Sequence, residues 1–233
     1  MERKDYLRQG GPCFYFDTEL FPPTTDSFAL GYFAAPRRGE RVCDLGSGTG
    51  LLGTLLLARE PSLTLCCVEQ SAAASALAEK AFAENGWAQR VTLRVGDLRD
   101  AAVLPAAGSM DYALSNPPYY PAHSGASAAS PARQTAREEV GCTLDEVCAA
   151  AARVLRWGGR FALVHKPERL TDLLCSLRAH GMEPKRLRFV LSASESVPSL
   201  VLVEARRGGK SGLSVEPMLV IGSTDWDKVY FRT

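Results

Sequence analysis

The stretch Arg41-Val42-Cys43-Asp44-Leu45-Gly46-Ser47-Gly48-Thr49-Gly50 decides the fold class of this 233-residue chain. Its first five residues are mostly apolar and end at glycines, which predicts a short buried strand. The glycines let the chain turn tightly and bring backbone N–H groups close to a ligand. Residues 51–59 have helical character, so the whole stretch predicts a strand, a ligand-binding turn and a helix.

Strands and helices alternate along the rest of the chain. Further strands are predicted over residues 63–69, 91–95, 111–115, 160–165, 186–191 and 200–205, and further helices over 71–85, 143–156 and 171–180, with the helix over 143–156 ending at Gly158-Gly159. This alternation predicts an α/β fold with a seven-stranded, mostly parallel sheet and helices on both faces. The last two strands have no helix between them, so we expect one of them to be antiparallel.

Composition excludes several classes of protein. The net charge is +1, hydrophobic residues make up 46%, and the mean hydropathy is −0.07, values that are typical of a globular chain. The apolar runs are too short to span a bilayer and Met1 is followed by four charged residues, so we expect no membrane segment and no signal peptide. Seven cysteines without a C-x-x-C pair favour neither a metal site nor a disulfide framework, and predict a reducing cytoplasm.

The near-zero net charge conceals an uneven distribution. Residues 153–210 hold twelve Lys and Arg against five Asp and Glu, a net charge of +7, which leaves −6 on the remainder. A basic C-terminal third is typical of a protein that contacts a polyanion such as RNA. The alternative is a set of solvated helix and loop faces with no such partner.

The acidic residue before the glycines favours S-adenosylmethionine as cofactor. Asp44 would repel a pyrophosphate, and the spacing from Gly46 to Gly50 is G-x-G-x-G. Gly48 to Gly53 also matches the dinucleotide pattern G-x-G-x-x-G, so a nicotinamide cofactor is the alternative. The candidate backbone cradle consists of Gly46, Ser47, Gly48 and Gly50.

Two more acidic residues follow the next two predicted strands. Glu69, followed by Gln70, is placed to accept hydrogen bonds from the ribose hydroxyls of an adenosine, which suits either cofactor. Asp97 can accept a hydrogen bond from the exocyclic amine of the adenine, while Leu98 packs against the ring. A helix N-cap is the alternative role for Asp97. Together with the glycine turn, these acids predict an adenosine site at three successive strand ends.

The fourth predicted strand ends in Asn116-Pro117-Pro118-Tyr119, a candidate catalytic turn. An exocyclic amine on an aromatic ring is a poor nucleophile, because its lone pair is delocalised. The Asn116 side-chain carbonyl and the Pro117 backbone carbonyl can accept its two protons and aim the lone pair at a sulfonium methyl. Proline fixes the backbone turn, and Tyr119 can stack on the base. An ordinary turn is the alternative, since Asn and Pro both favour turns.

The order of these motifs resembles the bacterial valine tRNA (adenine-N6) methyltransferase family. The matching segments are Pro23-Thr24-Thr25-Asp26, residues 44–50, Glu69, Asp97, residues 116–120, Ala136-Arg137-Glu138-Glu139, Leu163-Val164-His165-Lys166-Pro167-Glu168-Arg169-Leu170 and residues 184–190. The resemblance implies a Rossmann-like class I methyltransferase that modifies adenine 37 in the anticodon loop of a tRNA.

The same resemblance implies further site residues. Thr25 and Asp26 would lie near the amino-acid end of the cofactor, where a helix start is also predicted, and Asn116 would contact the cofactor as well as the target. The RNA-binding residues would be Tyr120, Arg137, Lys166, Arg169, Lys185, Arg186 and Arg188. His165 is expected to be structural. We expect a single domain over residues 1–233, with a cofactor or substrate segment at 1–40 and the core at 41–233.

Four alternatives remain open at this level. Glutamine N5-methylation of a release factor and guanine N2-methylation of ribosomal RNA use the same amine geometry. A non-catalytic RNA-binding protein and a nicotinamide-dependent oxidoreductase belong to other classes. The sequence leaves the oligomeric state open, with a monomer favoured, and leaves the conformation of residues 121–141 open.

Overall fold

The computed structural model describes residues 1–18, 22–117, 119, 142–194 and 196–229. The strands are β1 (Glu2–Tyr6), β2 (Cys13–Asp17), β3 (Arg41–Leu45), β4 (Thr64–Glu69), β5 (Val91–Val95), β6 (Met110–Ser115), β7 (Leu155–His165), β8 (Met182–Leu191), β9 (Pro198–Arg207), β10 (Ser214–Val215) and β11 (Leu219–Val220). The helices are α1 (Thr25–Phe33), α2 (Leu51–Arg59), α3 (Ala72–Glu84), α4 (Leu144–Val154), α5 (Leu170–Ala179) and α6 (Thr224–Val229).

The central sheet has the order β10-β8-β9-β7-β6-β3-β4-β5, with β11 also paired to β8. Its pairs are parallel except those that β9 makes with β7 and β8, which confirms the predicted α/β sheet with one antiparallel strand. The sheet also includes β10 and β11, which the sequence did not signal because two-residue strands carry no periodicity. The strand order reverses at β3, which pairs with β4 on one side and β6 on the other. Ligands bind at the carboxyl ends of strands at such a point.

The sheet is buried on both faces. One apolar cluster joins α1, α2 and α6 to the sheet through side chains such as Leu30, Leu55 and Trp226. The other joins α4 and α5 to the opposite face through side chains such as Val147 and Leu173. Burial on both faces explains why the strands read as nearly continuous apolar runs. None of the helices in the described residues is long and apolar enough to cross a membrane.

Helix α4 ends earlier than the sequence predicted. A capping box at Thr143 starts it, but it ends at Val154, and Gly158 and Gly159 lie inside β7. Strand β6 pairs with Leu155 and then, after a register shift, with Arg160. Residues 156–159, which lie between these two pairs, must therefore form a bulge. Gly158 allows the bulge with a φ of +78°. The prediction was wrong here because a glycine pair signals a helix end and a strand bulge alike.

The N-terminal segment contains an antiparallel hairpin, β1 and β2, that the sequence analysis did not predict. Cys13 and Tyr15 of β2 pack against Ala81 of α3. The Asn85 side chain accepts a hydrogen bond from the Cys13 N–H at 2.9 Å and donates one to the Cys13 carbonyl at 2.8 Å. The hairpin is therefore attached to the core beside α3.

Candidate functional site

The glycine turn between β3 and α2 has a backbone that favours glycine at three positions. The φ angles of Gly46, Gly48 and Gly50 are +74°, +53° and +76°, a region that residues with a Cβ rarely adopt. The N–H groups of Gly46 and Ser47 donate to the Val68 carbonyl at 2.9 and 3.0 Å, which fixes the turn to β4. The spacing of the glycines is thus a requirement of the turn itself.

Gly50 also lies in close contact with α3, which leads to a prediction about stability. A Cβ on Gly50 would lie 2.9 Å from the Ala78 Cβ and 2.9 Å from the Phe82 ring, so Gly50→Ala adds a clash to the backbone strain. We expect it to lower the free energy of unfolding by about 2–4 kcal/mol in urea titrations. Gly39→Ala is the matched control, because Gly39 has a φ of +74° but open space around it. Equal losses in the two variants would contradict the role of packing.

Asp44 lies at the end of β3 with its carboxyl completely buried. Among the described residues, neither of its oxygens has a hydrogen-bond partner, and the same is true of the buried Ser47 hydroxyl. Burial, with a smaller contribution from the nearby Glu69 charge, raises the pKa of Asp44 to about 8. Buried polar groups are nearly always satisfied, so these atoms suit a bound ligand that supplies the missing partners.

Glu69 at the end of β4 faces the glycine turn, as the sequence predicted. One carboxylate oxygen accepts from the Gly48 N–H at 2.8 Å, and the other accepts from the Ser71 N–H at 2.8 Å. The side chain is 7% exposed. The structure therefore brings Asp44, the glycine turn and Glu69 together, with the exposed Gln70 beside them.

Asp97 follows β5 and is bound by a residue that the sequence analysis did not single out. Arg99 donates its backbone N–H at 2.8 Å and its guanidinium at 2.5–3.0 Å to the Asp97 carboxylate. These hydrogen bonds lower the pKa of Asp97. Arg99 also approaches Glu146 of α4 at 3.8 Å, and Leu98 packs against the apolar cluster on that face. Arg99 follows Asp97 by two residues, and this spacing is the sequence signal from which Arg99 could have been found.

The candidate catalytic turn follows β6 and is joined to the start of α1. The Asn116 amide Nδ2 donates to the Ser27 Oγ at 3.0 Å. The Tyr119 hydroxyl donates to Asp26 and lies 3.2 Å from the Asn116 Oδ1. Pro117 is buried, and Pro118 lies outside the described residues. The Ser115 hydroxyl donates to the Leu45 carbonyl at 2.7 Å, which holds this turn beside the end of β3.

The start of α1 therefore places Asp26 beside the candidate catalytic turn, together with Ser27, which sequence reasoning missed, while the predicted contact of Asp26 with the cofactor stays a prediction. Thr25 is the first residue of α1 and is half-buried. Thr24 occupies the N-cap position without a side-chain capping bond. No periodicity signalled the role of Ser27, because one serine in a helix's first turn is indistinguishable by sequence from a cap.

Two residues at the end of β7 surround the Tyr119 ring. The His165 ring lies edge-on at 5.3 Å, and the Lys166 ammonium lies 5.0 Å from the Tyr119 ring centroid. Burial lowers the pKa of His165 to about 4, and its Nδ1 accepts the Lys166 N–H at 2.9 Å. A pKa lowered in this way favours the neutral imidazole near pH 7, and the structural role of His165 stays a prediction.

Of the predicted RNA-binding residues that the structure describes, Lys166 approaches the candidate catalytic turn, with its ammonium 5.0 Å from the Tyr119 ring centroid. Arg169 is paired with Asp172 at 2.6 Å at the start of α5. Lys185, Arg186 and Arg188 lie on β8, which β9 and β7 separate from β6. The structure does not bring these three to Asn116. Tyr120 and Arg137 lie outside the described residues.

The β8 cations have partners within the protein. Arg186 forms ion pairs with Glu204 at 3.1 Å and Glu216 at 2.7 Å. Arg188 donates to the Pro217 carbonyl at 2.8 Å, and Lys185 donates to the Lys210 carbonyl at 3.0 Å. Contact of these side chains with RNA stays a prediction.

Comparison with known proteins identifies the family of this chain. The family model described as "Methyltransferase small domain" matches residues 28–174. The tRNA1(Val) (adenine(37)-N6)-methyltransferase of Aeromonas hydrophila is 31% identical over 185 residues, which cover 79% of this chain and 76% of that protein. The chain belongs to this methyltransferase family. The family-model match over residues 28–174 includes the glycine turn and the candidate catalytic turn.

Solved structures show the same fold. A predicted O-methyltransferase of Agrobacterium tumefaciens superimposes with a TM-score of 0.73 at 16% identity, covering 90% of this chain and 97% of that one. A geranyl diphosphate methyltransferase in complex with SAM gives a TM-score of 0.56 at 18% identity, covering 78% and 84%. These likenesses confirm the Rossmann-like class I methyltransferase fold.

Proposed function

We propose that this methyltransferase transfers a methyl group from S-adenosylmethionine to the exocyclic N6 of an adenine in tRNA, at position 37 of a valine tRNA. The observation that carries the proposal is the place of the Asn116 amide. It follows β6 next to the glycine turn, and the neighbouring side chains of α1 orient it. Relatives named for this reaction at about one-third identity support the choice of acceptor.

The residues present fit the cofactor. The buried Asp44 carboxyl and Ser47 hydroxyl have no partners among the described residues, and a ligand that carries an ammonium group and hydroxyls can supply them. Glu69 can exchange its bond to Gly48 for the ribose hydroxyls. When bound, the cofactor supplies an electrophilic methyl group on a sulfonium. The acidic character of Asp44, Glu69 and Asp97 suits a cation better than a dinucleotide pyrophosphate.

The catalytic turn acts on the acceptor amine. The Asn116 Oδ1 and the Pro117 carbonyl would accept hydrogen bonds from the two amine N–H groups, so the nitrogen is held with its lone pair free to react. The N–C bond would form as the S–C bond of the cofactor breaks, and the methylated nitrogen would then release one proton to water. Positioning supplies most of the rate enhancement, since holding two reactants in line removes much of the entropic barrier. The neutral His165 has its Nδ1 occupied by the Lys166 N–H, so it is not assigned a role as a base.

Glutamine methylation is the second candidate, because a primary amide presents the same planar nitrogen. The ammonium of Lys166 beside Tyr119 favours a polyanionic substrate over a glutamine side chain. The target adenine must leave its stack to reach the turn, which costs least in a single-stranded loop. We further propose that the chain acts as one domain, as a monomer in the cytoplasm, where such a tRNA is available.

Lys166 gives a prediction that depends on salt. Lys166→Gln is expected to weaken tRNA binding several-fold at low salt. It should also reduce the slope of log affinity against log salt by the contribution of one phosphate contact. Filter binding at several salt concentrations measures both quantities. Lys80→Gln is the matched control, because Lys80 lies on α3, outside the basic segment 153–210, and its ammonium pairs with Glu2 of β1. An unchanged slope in Lys166→Gln would remove Lys166 from the RNA surface.

The experiment that tests the proposal offers the enzyme a choice of acceptors. Unmodified tRNA and a release factor are incubated separately with methyl-labelled cofactor, and the products are identified by mass spectrometry. We expect N6-methyladenosine from tRNA and no label on the release factor. Methylglutamine in the release factor, or N2-methylguanosine in RNA, would overturn the proposed acceptor.

A further inference from the structure

We propose that the first turn of α1 is a positioning element for catalysis, in which Ser27 and Asp26 together present the Asn116 Oδ1 to the substrate amine. This inference rests on the proposed function, since it names the side chains that orient the Asn116 carbonyl. The proposed reaction requires that carbonyl as a hydrogen-bond acceptor. Its basis is the set of hydrogen bonds among Asp26, Ser27, Asn116 and Tyr119.

Ser27 decides which end of the Asn116 amide faces the substrate. The carbonyl and amino ends of an asparagine side chain have almost the same shape, so a half-turn exchanges an acceptor for a donor. Only the carbonyl end can accept a hydrogen bond from the N–H of an exocyclic amine. The Ser27 Oγ accepts the Nδ2–H of Asn116 at 3.0 Å, and it lies 3.5 Å from the Thr24 Oγ1, a contact in which either hydroxyl can donate. Ser27 thus holds the amide with its carbonyl available.

Asp26 keeps the Tyr119 proton away from that carbonyl. Among the described residues, two acceptors lie within reach of the Tyr119 hydroxyl proton, the Asp26 carboxylate and the Asn116 Oδ1 at 3.2 Å. Hydrogen bonds to a charged acceptor are the stronger ones, so the carboxylate takes the proton. Without the carboxylate, the phenol would donate to Oδ1 and compete with the substrate amine. Asp26 and Ser27 therefore act on opposite ends of one amide.

The two assignments make different predictions for variants. Ser27→Ala is expected to lower kcat by about 10-fold, the usual effect of losing one hydrogen bond, with the KM for tRNA and the cofactor affinity nearly unchanged. Ser27→Thr keeps the hydroxyl and is expected to restore most of kcat. Asp26→Ala removes the acceptor, so it is expected to lower kcat by a similar factor when Tyr119 is present and by much less in a Tyr119→Phe background, where no phenol proton competes.

The closing experiment combines these kinetics with an observation that does not require turnover. Solvent exchange of the Asn116 side-chain amide protons is measured by NMR in the wild type, Ser27→Ala and Ser27→Thr, with Asn85 as the internal control. We expect faster exchange at Asn116 in Ser27→Ala only. Unchanged exchange and kcat in Ser27→Ala, a loss of cofactor affinity instead of kcat, or equal effects of Asp26→Ala in both backgrounds would overturn the inference. A wild type that methylates no adenine would instead contradict the proposed function, and the exchange measurement would still test the role of Ser27.

Discussion

Asn116→Ala is expected to lower kcat for methyl transfer by about 10²–10³-fold, the effect typical of removing one preorganised polar group at a reaction centre. The substitution removes the side-chain carbonyl that accepts an amine proton, while Asp44, Glu69 and the glycine turn stay in place. The dissociation constant of the cofactor should therefore change less than about threefold. Single-turnover kinetics measure the chemical step, and isothermal titration calorimetry measures the cofactor.

The control for this variant is Gln89→Ala. Gln89 carries the same amide group and is exposed, but it precedes β5, at the end of the sheet opposite the site. It is expected to behave as the wild type in both measurements. If Asn116→Ala lost cofactor affinity as severely as turnover, the amide would belong to the cofactor site and the catalytic assignment would be wrong.

Asp44→Asn is expected to have opposite effects on cofactor binding and on stability. Loss of the charged acceptor should weaken cofactor binding by about 10–100-fold, the usual value for a hydrogen bond to a charged group. The free energy of unfolding of the Asp44→Asn variant, in contrast, should increase relative to that of the wild type as pH rises. The buried Asp44 carboxyl has no partner among the described residues, so its ionised form is unfavourable in the cofactor-free fold.

The pH range follows from the pKa values of this carboxyl. Its pKa is raised from 3.8 to about 8 in the folded protein, so between these values the folded state binds more protons than the unfolded state. The stability that this group contributes is complete below pH 4 and is lost as pH rises towards 8, by about 1.4 kcal/mol per pH unit. Asp44→Asn should lack this slope. Urea titrations of both proteins from pH 5 to 8 measure it.

Cofactor affinity should show the reverse dependence on pH. A cationic ligand favours the ionised carboxyl, so binding to the wild type releases a proton and strengthens as pH rises towards 8. Asp44→Asn should bind with little dependence on pH over this range. Asp5→Asn, on the exposed strand β1, is the control that removes one carboxyl outside the site. A wild-type affinity that falls as pH rises from 6 to 8 would contradict the role of Asp44.

Much of the fold could be predicted because the sheet is buried on both faces. Strands β3 and β5 and helix α2 have the predicted bounds, since each is an apolar or helical run bounded by glycine or polar residues. The turn after β3 could also be predicted, because its glycines adopt positive φ angles that other residues rarely adopt. The hairpin β1–β2 was missed because its first strand is exposed along its length and carries a charged sequence.

The candidate site could be predicted where a residue follows a strand directly. Asp44, Glu69 and Asn116 were found by this rule, and the structure brings their strand ends together at the reversal of strand order. The partners that orient them could not be found. Ser27 reaches Asn116 across 89 residues of sequence, and no local pattern encodes such a distant hydrogen bond. The internal ion pairs of Arg186 were hidden for the same reason, since Glu204 and Glu216 lie on other segments.

The most direct test of the account is to locate the methyl group on one RNA. An unmodified bacterial tRNA1(Val) transcript is incubated with the wild-type protein and labelled S-adenosylmethionine, cut with a nucleotide-specific ribonuclease, and each fragment is sequenced by mass spectrometry. The account predicts one N6-methyladenosine at position 37, and none with Asn116→Ala or with a transcript that carries guanosine at position 37. A methyl group on any other nucleotide, or equal labelling by the Asn116 variant, would contradict it.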